Sequence, residues 1–353
     1  MHLLEHLRIA GNGITDAVVD LAISQRSEGR DVLVMSSPGG YEELLARRGI
    51  SFVNLHTARK PIVRWVGGVW RARRVLRSFA PDVIHAHTPT SYIQARLSGQ
   101  SAPFVATAHT QFSPSTRLFA GADALIAVSE SDGNALRDWF PSRKLHVVRN
   151  GVIGSQRVRL SSPTRPRASG ASVSLLYGGG LNRRKGVDIL LTAFAQMEAT
   201  GVDATLTIVG DGPEREKLQK LAAELGLKRV SFLGFRSDLP DVMADHDIFV
   251  VPSRREPFGL VAAQARAVGL CIVASQVEGL TEVLEGGRAG VLVEPDNVEA
   301  LAAALTDLAS SPSLRAAYAH RAADNLEWLS VDRNRVDVDR VYQSLVSQHP
   351  KGG

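Results

Sequence analysis

The sequence has little of what marks secreted, fibrous or membrane-spanning proteins. It contains one cysteine, Cys271, so no disulfide can form within the chain, and the apolar run around that residue predicts a buried strand position in a reducing compartment. Aromatic residues make up only 6% of the chain, and no apolar run approaches the roughly 20 residues that span a bilayer. With 44% hydrophobic and 22% charged residues, the composition predicts a globular cytoplasmic protein and excludes a disordered or collagen-like chain.

The positive charge is concentrated in the first part of the chain. Residues 1–153 hold 18 Lys and Arg against 12 Asp and Glu, and residues 154–170 add four arginines, while the whole chain has a formal net charge of only +5. The remainder is therefore acidic. This asymmetry favours an anionic partner for the first half. No recognition motif for nucleic acid accompanies the charge, so we expect no nucleic-acid partner.

Short runs rich in Val and Ile alternate along the chain with amphipathic stretches. Because these runs do not themselves alternate with polar residues, they predict parallel strands buried on both faces and wrapped by helices. In the first half the clearest runs are 31–37, 82–87, 104–109 and 123–129. In the second half they are 173–179, 205–212, 230–235, 248–253, 271–275 and 290–295.

A segment rich in Ser, Arg and Pro separates the two sets of runs. Residues 153–172 break the strand-helix rhythm and predict a linker. The sequence therefore predicts an α/β protein of two Rossmann-like, doubly wound domains, 1–152 and 173–327, with a deep interdomain cleft. The stretch 328–347 is expected to form a helix that packs back on the first domain.

Several glycine-rich loops follow predicted strands and open predicted helices. They are Gly11-Asn12-Gly13, Gly178 to Gly180, Gly210-Asp211-Gly212 and Phe258-Gly259. Each can offer backbone N–H groups and the positive end of a helix to a phosphate, and each can equally be an ordinary strand-to-helix turn. None has the glycine-lysine-Ser/Thr ending of a P-loop or the G-x-G-x-x-G of a dinucleotide-binding loop.

Two charged segments of the second half carry the chemistry. Arg183, Arg184 and Lys185 precede a predicted helix, where cations are unfavourable unless an anion binds beside them. A diphosphate would satisfy them, although a solvated basic turn is the alternative. Glu256 follows a predicted buried strand and can accept hydrogen bonds from sugar hydroxyls or simply cap the next helix, which contains Gln264.

The motifs of the second half closely resemble those of the retaining glycosyltransferases of family 4, which have the two-domain architecture called GT-B. The family pattern is a Glu-Pro-Phe-Gly-Leu run with a second acid further in, preceded by Pro-Ser and followed by a strand and a glycine-containing acidic loop. The matching segments here are 252–253, 256–260, 269–275 and 278–282. Supporting segments of the first half are 11–13, 81–87, 107–110, 127–129 and 149–152.

The resemblance implies that His109 lies beside the donor sugar, that Arg184 and Lys185 hold its diphosphate, and that Glu256 contacts sugar and phosphate. The candidate catalytic residues are His109, Lys185 and Glu256. The candidate donor- and phosphate-binding residues are Gly11, Asn12, Gly13, Arg184, Lys185, Phe235, Glu256, Phe258, Gly259, Leu260 and Gln264. The implied reaction transfers a sugar with retention from a nucleotide-diphosphate sugar, a UDP-sugar in most such enzymes, to an acceptor hydroxyl. No metal or cofactor is expected.

The chain departs from the family pattern at the second acid, which is Gln264, and at the first phosphate-binding arginine, where Gly180 stands. An amide can accept one hydrogen bond and donate another, so we expect altered nucleotide binding. The alternative is a degenerate member that binds nucleotide or glycan with little or no transfer. Polysaccharide, lipid-linked and small natural-product acceptors all remain open.

Three further features allow two interpretations each, and a fourth allows one. The segment 59–78 interleaves seven cations with Trp65 and Trp70, which suits either peripheral contact with the inner face of a membrane or a helix that packs on the core. His85 and His87 flank a strand end and either line a cleft or are satisfied core histidines. Residues 245–247 resemble a D-x-D metal motif but are expected to end a helix and enter a strand, and residues 337–339 are expected to be solvated.

Overall fold

The computed structural model describes residues 1–9, 13–55, 62–109, 113–140, 145–155 and 172–347, with the backbone alone for 62–66. The chain divides into two compact units. The N-terminal unit comprises Met1–Arg157 together with Leu329–Gly353, and the C-terminal unit comprises Val158–Trp328. Each unit is an α/β fold around one parallel sheet, as the sequence predicts.

The N-terminal unit contains a seven-stranded parallel sheet in the order β3-β2-β1-β4-β5-β6-β7. Its strands are β1 His2–His6, β2 Leu33–Ser37, β3 Ser51–Asn54, β4 Ile84–Ala86, β5 Phe104–Ala108, β6 Ala124–Ala127 and β7 Leu145–Val147. Its helices are α1 Gly13–Ser27, α2 Glu42–Arg47, α3 Ile62–Phe79, α4 Pro89–Leu97 and α5 Glu130–Arg137, with a 3₁₀ segment Pro114–Gly121. The strand order reverses between β1 and β4, which is the switch point where doubly wound sheets bind ligands.

The C-terminal unit contains a six-stranded parallel sheet in the order β10-β9-β8-β11-β12-β13. Its strands are β8 Val173–Gly178, β9 Ala204–Val209, β10 Val230–Gly234, β11 Ile248–Val251, β12 Cys271–Ser275 and β13 Val291–Val293. Its helices are α6 Val187–Ala199, α7 Arg215–Glu224, α8 Leu239–Ala244, α9 Leu260–Val268, α10 Glu278–Val283, α11 Val298–Ser310 and α12 Pro312–Ala323. Short 3₁₀ turns cover Arg183–Lys185, Glu285–Gly287 and Glu327–Leu329. The switch point lies between β8 and β11.

The apolar runs form strands because their residues are covered on both faces. Every residue of β5, β6, β8, β11 and β12 is buried, Cys271 among them, whereas the edge strand β10 alternates between exposed and half-buried positions. The run 230–235 therefore forms a strand at the sheet edge and not in its middle. Among the described residues, no helix is both long and apolar enough to cross a membrane.

Helix α13, Val331–Val346, returns the chain to the N-terminal unit after the C-terminal unit is complete. Ser330 caps it by accepting a hydrogen bond from the backbone N–H of Arg333. Its apolar face, Val338, Val341 and Leu345, packs with Leu21 of α1 and with residues of the sheet. Ser24 of α1 also donates a 2.8 Å hydrogen bond to Asp332.

One charged side chain lies entirely inside the C-terminal unit. Arg266 of α9 has no exposed surface and donates hydrogen bonds to the carbonyl oxygens of Val283, Ala322 and Asp324 at 2.7–3.0 Å. Its guanidinium also pairs with Glu285 at 2.8 Å. Because each of its three nitrogens donates a hydrogen bond and its charge is paired with Glu285, this arginine joins α9, α10 and the end of α12 without an unpaired buried charge.

Candidate functional site

The charged candidates of the C-terminal unit meet at the carboxyl edge of its sheet, beside the switch point. The 3₁₀ turn Arg183–Lys185 follows β8, and Glu256 follows β11, the neighbouring strand. The Lys185 ammonium donates a short hydrogen bond to Glu256 Oε2, and Arg184 Nη1 lies 3.7 Å from the same oxygen. The structure thus brings together three of the predicted residues that lie 71 and 72 positions apart in sequence.

This cluster differs in accessibility from one member to the next. The side chains of Lys185 and Glu256 are 14% and 10% exposed, whereas Arg184 is 39% exposed. Ser253 Oγ lies 3.4 Å from Glu256 Oε2, and the backbone N–H of Glu256 donates to Glu278 at 3.2 Å. The carboxylate is therefore held in place, while the guanidinium is open to an incoming anion.

A second arginine, Arg254, holds the basic turn in position and was missed by sequence reasoning. Its guanidinium forms two hydrogen bonds with Asp188 at 2.7 and 2.9 Å and one with Asp296 at 2.6 Å. It also donates to the carbonyl oxygen of Arg183 at 2.6 Å. Partial burial alone would raise the pKa of Asp188, but the hydrogen bonds and charge of Arg254, together with backbone N–H groups at the start of α6, lower that pKa below its usual value. The sequence contained two signals for this contact. Asp188 is an acidic residue at the start of a predicted helix, and Arg254 lies two residues before Glu256.

Glycines let the two loops approach each other closely. Gly186 has a positive φ of 66°, and a Cβ on it would lie 1.9 Å from the carbonyl oxygen of Pro252. Gly279 touches the other side of the Glu256 loop, where a Cβ would lie 2.3 Å from the backbone of Phe258. Only residues without a side chain fit at these two contacts, so the loop positions are fixed by sequence.

The remaining candidates of this unit occupy different environments. Phe258 is buried and packs edge-to-face on Trp328, so only its backbone can serve a ligand. Gly259 is the left-handed residue before α9, and Leu260 is its first residue. Gln264, in the second turn of α9, is half-buried, and its side chain has no hydrogen-bond partner among the described residues. Phe235, directly after β10, is 41% exposed.

In the N-terminal unit the structure describes only part of the predicted glycine loop. Gly11 and Asn12 lie outside the described residues, whereas Gly13 is the first residue of α1, which follows β1 at the switch point. His109 comes directly after β5 and is half-buried. The proposed roles of these residues stay predictions.

His109 is one end of a row of histidines. His109 Nε2 lies 3.1 Å from His87 Nδ1, and His87 Nε2 lies 3.1 Å from His2 Nδ1. His85 stands beside this row, with its ring nitrogens 2.6 Å from the hydroxyls of Thr107 and Tyr342. Burial lowers the pKa of His109 to about 4 and that of His2 to about 3, so both rings are neutral at pH 7. Both His85 and His87 are therefore hydrogen-bonded core residues that also line a small cavity of about 20 Å³.

The two Asp-x-Asp segments, 245–247 and 337–339, differ in how well the structure agrees with the prediction. In the segment 245–247, Asp245 ends α8, and Asp247 accepts hydrogen bonds at 2.8 Å from the backbone N–H and hydroxyl of Ser174. That segment joins a helix to a strand, as predicted. The expectation that 337–339 is solvated is wrong for Asp339, which is 6% exposed and accepts a hydrogen bond from Gln25. Its helix packs against α1, which the local alternation of charges did not reveal.

Comparison with known proteins agrees with this geometry. The model of the glycosyl transferases group 1 matches residues 166–325, and that of glycosyltransferase family 4 matches residues 11–153. Glycogen synthase of Mycobacterium tuberculosis is 30% identical over 283 residues, which cover 72% of this chain and 67% of that protein. The lipopolysaccharide core biosynthesis glycosyltransferase LpsD of Rhizobium meliloti is 31% identical over 255 residues and 70% of each chain.

A solved structure supports the fold at lower sequence identity. Anabaena HepE, crystallised in complex with UDP-glucose, superposes with a TM-score of 0.80 at 23% identity, covering 98% of this chain and all of that one. The resemblance inferred from the motifs is thereby confirmed. The chain belongs to the group 1 and family 4 glycosyltransferases, enzymes that transfer sugars, and it has their GT-B fold of two parallel α/β sheets.

Proposed function

We propose that this enzyme transfers a sugar from a UDP-sugar to an acceptor hydroxyl, with retention at the anomeric carbon and without a metal ion. The observation that carries the proposal is the convergence of Lys185 and Arg184 on Glu256 at the switch point of the C-terminal sheet. Two cations and one carboxylate are the complement of a diphosphate joined to a sugar.

The cations supply what the departing diphosphate needs. When the bond to the sugar breaks, negative charge grows on the leaving phosphate, and groups already positioned there stabilise the transition state more than the ground state. Arg184 is accessible, and Lys185 needs only to share its protons between Glu256 and a phosphate oxygen. These two side chains take the part that a divalent cation plays in metal-dependent transfer, which is the support for metal independence.

Glu256 is then the residue that binds the hydroxyls of the sugar. Its carboxylate accepts hydrogen bonds only, and its backbone is fixed by Glu278 and by Gly279, whose N–H donates to the Glu256 carbonyl at 2.9 Å. A fixed carboxylate suits the hydroxyls of a hexose. Retention, and a position of His109 beside the sugar, are supported by the family resemblance. The choice of uridine is supported by HepE, which was crystallised with UDP-glucose.

A ligand screen tests the proposal without knowledge of the acceptor. A ligand that binds only the folded protein raises its melting temperature. We expect stabilisation by UDP and a UDP-sugar, insensitive to chelator, and little by GDP or ADP. Lys185→Met should abolish most of that stabilisation, while Lys217→Met, which removes a 77% exposed lysine of the same unit, should retain it. A screen without any stabilising nucleotide would instead favour a degenerate family member.

Helix α3 supports a further proposal, that the enzyme contacts an anionic membrane surface. Trp70 is 69% exposed and lies on the same face as the exposed Arg71, Arg74 and Arg77. The opposite face, with Ala72 and Leu76, belongs to the core. One helix therefore serves both readings of the sequence: its apolar face packs inward, and its outer face combines an interfacial aromatic with cations.

Sedimentation with lipid vesicles tests this contact. We expect binding to vesicles that contain anionic phospholipid and none to neutral vesicles. Raising the salt concentration to about 0.5 M should weaken the binding roughly tenfold. Trp70→Ser should weaken binding. The matched control is Leu97→Ser, which removes another exposed apolar residue, 58% exposed, from α4 of the same unit. Equal effects of the two substitutions would contradict the proposal.

A further inference from the structure

The row of histidines in the N-terminal unit extends beyond His2 to a carboxylate on α13. His2 Nε2 lies 2.8 Å from Gln25 Oε1, and Gln25 Nε2 donates a 3.0 Å hydrogen bond to Asp339 Oδ1. Asp339 in turn pairs with Arg30 and Arg335, each at 3.5 Å. Four consecutive hydrogen bonds thus connect His109 with Asp339.

The direction of every bond follows from the carboxylate end. A carboxylate paired with two arginines only accepts hydrogen bonds, so Gln25 must turn its amide nitrogen to Asp339 and its carbonyl oxygen to His2. His2 must then carry its proton on Nε2, which leaves Nδ1 as an acceptor. A neutral imidazole has one donor and one acceptor nitrogen, so the same reasoning passes to the next ring.

The same reasoning fixes the hydrogen-bond directions at the last two rings, His87 and His109. His87 donates from Nε2 to His2 Nδ1, and its own Nδ1 accepts from His109 Nε2. His109 is left with an unprotonated Nδ1, which has no hydrogen-bond partner among the described residues. We propose that His2, His87 and Gln25 are positioning residues that fix His109 in the Nε2–H tautomer, so that its Nδ1 presents a hydrogen-bond acceptor to a substrate hydroxyl.

The network requires neutral rings, and the surroundings supply that condition. Burial lowers the pKa of His2 to about 3 and that of His109 to about 4, and it also lowers the pKa of His87. A protonated ring would place two N–H groups in one of the short contacts. Because an amide does not readily pass on a proton, a network that includes Gln25 can fix a tautomer but does not conduct protons along its length.

A metal site is the competing interpretation of the same residues. Nitrogens of His2, His85 and His87 all lie within 4.8 Å of one another, and imidazole is a common ligand of zinc. One ion would need three lone pairs directed at it. His2 and His87 already share a proton between the nitrogens that face each other, and both nitrogens of His85 contact hydroxyls at 2.6 Å. The satisfied hydrogen bonds favour the tautomer network.

The functional part of this inference rests on the proposed function, whereas the tautomer itself can be measured without any substrate. Long-range ¹H–¹⁵N spectra of full-length protein labelled with ¹⁵N-histidine, recorded at pH 7.5, distinguish the two neutral tautomers. The signals of His109 are identified by their loss in His109→Gln. We expect the Nε2–H form of His109 to exceed the other by about tenfold or more. A predominant Nδ1–H form in the unmodified protein would overturn the proposal.

Substitutions separate a positioning role from a merely structural one. Gln25→Met, which does not touch His109, should produce a mixture of His109 tautomers, and so should His87→Leu. His87→Gln keeps one donor and one acceptor and should restore the single form. His85→Leu is the control, since the buried His85 ring packs beside His87 but takes part in none of the four hydrogen bonds, and it should leave His109 in the Nε2–H form.

Two further readouts complete the test. Once a donor is known, His87→Leu should lower kcat for its hydrolysis or transfer about tenfold or more, with UDP affinity unchanged and with rescue by His87→Gln. Full activity of His87→Leu despite a tautomer mixture would refute the functional part alone. Stoichiometric binding of added Zn²⁺ that is lost in His85→Leu would overturn the network in favour of a metal site. Absence of any turnover in the unmodified enzyme would count against the proposed function and not against the tautomer.

Discussion

The contact between Lys185 and Glu256 leads to one prediction about stability, in which both single substitutions have the same sign, and one about UDP affinity, in which they differ. Lys185→Met leaves the Glu256 carboxylate nearly buried, with Arg184 at 3.7 Å as its remaining cation. Removing one partner of a fully buried pair costs about 3–5 kcal/mol. Because Lys185 is 14% exposed and Arg184 stays nearby, we expect a loss of about 2–3 kcal/mol, which is a fall in Tm of about 4–12 °C.

Glu256→Gln should cost a similar amount, since it leaves an ammonium without its carboxylate. The double substitution should be less destabilising than the two single losses added together, with a coupling of about 1–2 kcal/mol. Lys217→Met is the control, because its pair with Glu214 is exposed and should contribute less than about 1 kcal/mol. Chemical denaturation of the unmodified protein and of these four variants at one ionic strength measures each loss of stability and the coupling.

The affinity for UDP separates the two side chains. Loss of a charge-assisted hydrogen bond to phosphate should weaken UDP binding to Lys185→Met about tenfold to a hundredfold. Glu256→Gln removes an anion that competes for the same ammonium, so UDP should bind at least as tightly, whereas a UDP-sugar should lose affinity. Calorimetry with both ligands gives the comparison. A parallel fall of UDP affinity in both variants would refute the assignment of the cation to phosphate and the carboxylate to sugar.

Two other predictions concern stability alone. Arg266→Met should cost about 3–5 kcal/mol because it removes the donor to the carbonyl oxygens of Val283, Ala322 and Asp324 and the buried partner of Glu285. Arg288→Met, which removes a 44% exposed partner of Glu285, should cost less than about 1 kcal/mol. Equal losses in urea unfolding would show that the buried network contributes no more than the exposed pair. Burial lowers the pKa of His109 from 6.5 to about 4. The unfolded chain therefore binds its proton first, so this contribution to stability is complete above about pH 6.5 and is lost as the pH falls towards 4. Unfolding measured from pH 7.5 to 4.5 should show a shallower decline for His109→Gln, and identical slopes would contradict the reasoning.

The fold was accessible from the sequence because each central strand is an uninterrupted apolar run. The runs around Leu175, Val250 and Cys271 lie at the predicted places, since strands covered on both faces leave no polar position to confuse the pattern. The family motifs then identified Glu256 and Lys185 as members of one site. Their contact could not be derived from spacing alone, because it depends on β8 and β11 being neighbours in the sheet.

What the sequence did not reveal depends on register and on packing between distant elements. His85 and His87 alternate by two residues, which hints at a shared face, but only the pairing of β1 with β4, with His2 opposite His85, brings His2 into the row. Asp339 looked solvated because its neighbours are charged, yet α13 turns it towards Gln25. Arg254 was overlooked because its partners Asp188 and Asp296 are 66 and 42 residues away.

The return of α13 to the N-terminal unit has a consequence for the order of synthesis. The C-terminal unit is one continuous stretch of chain, Val158–Trp328, which interrupts the N-terminal unit between Arg157 and Leu329. At about 5–20 residues per second, a ribosome needs on the order of ten to thirty seconds to make that interval. During this interval Gln25 and His85 lack their hydrogen-bond partners Asp339 and Tyr342, which have not yet been synthesised. The nascent seven-stranded sheet can form early, but its histidines acquire a single protonation pattern only when the returning helix docks.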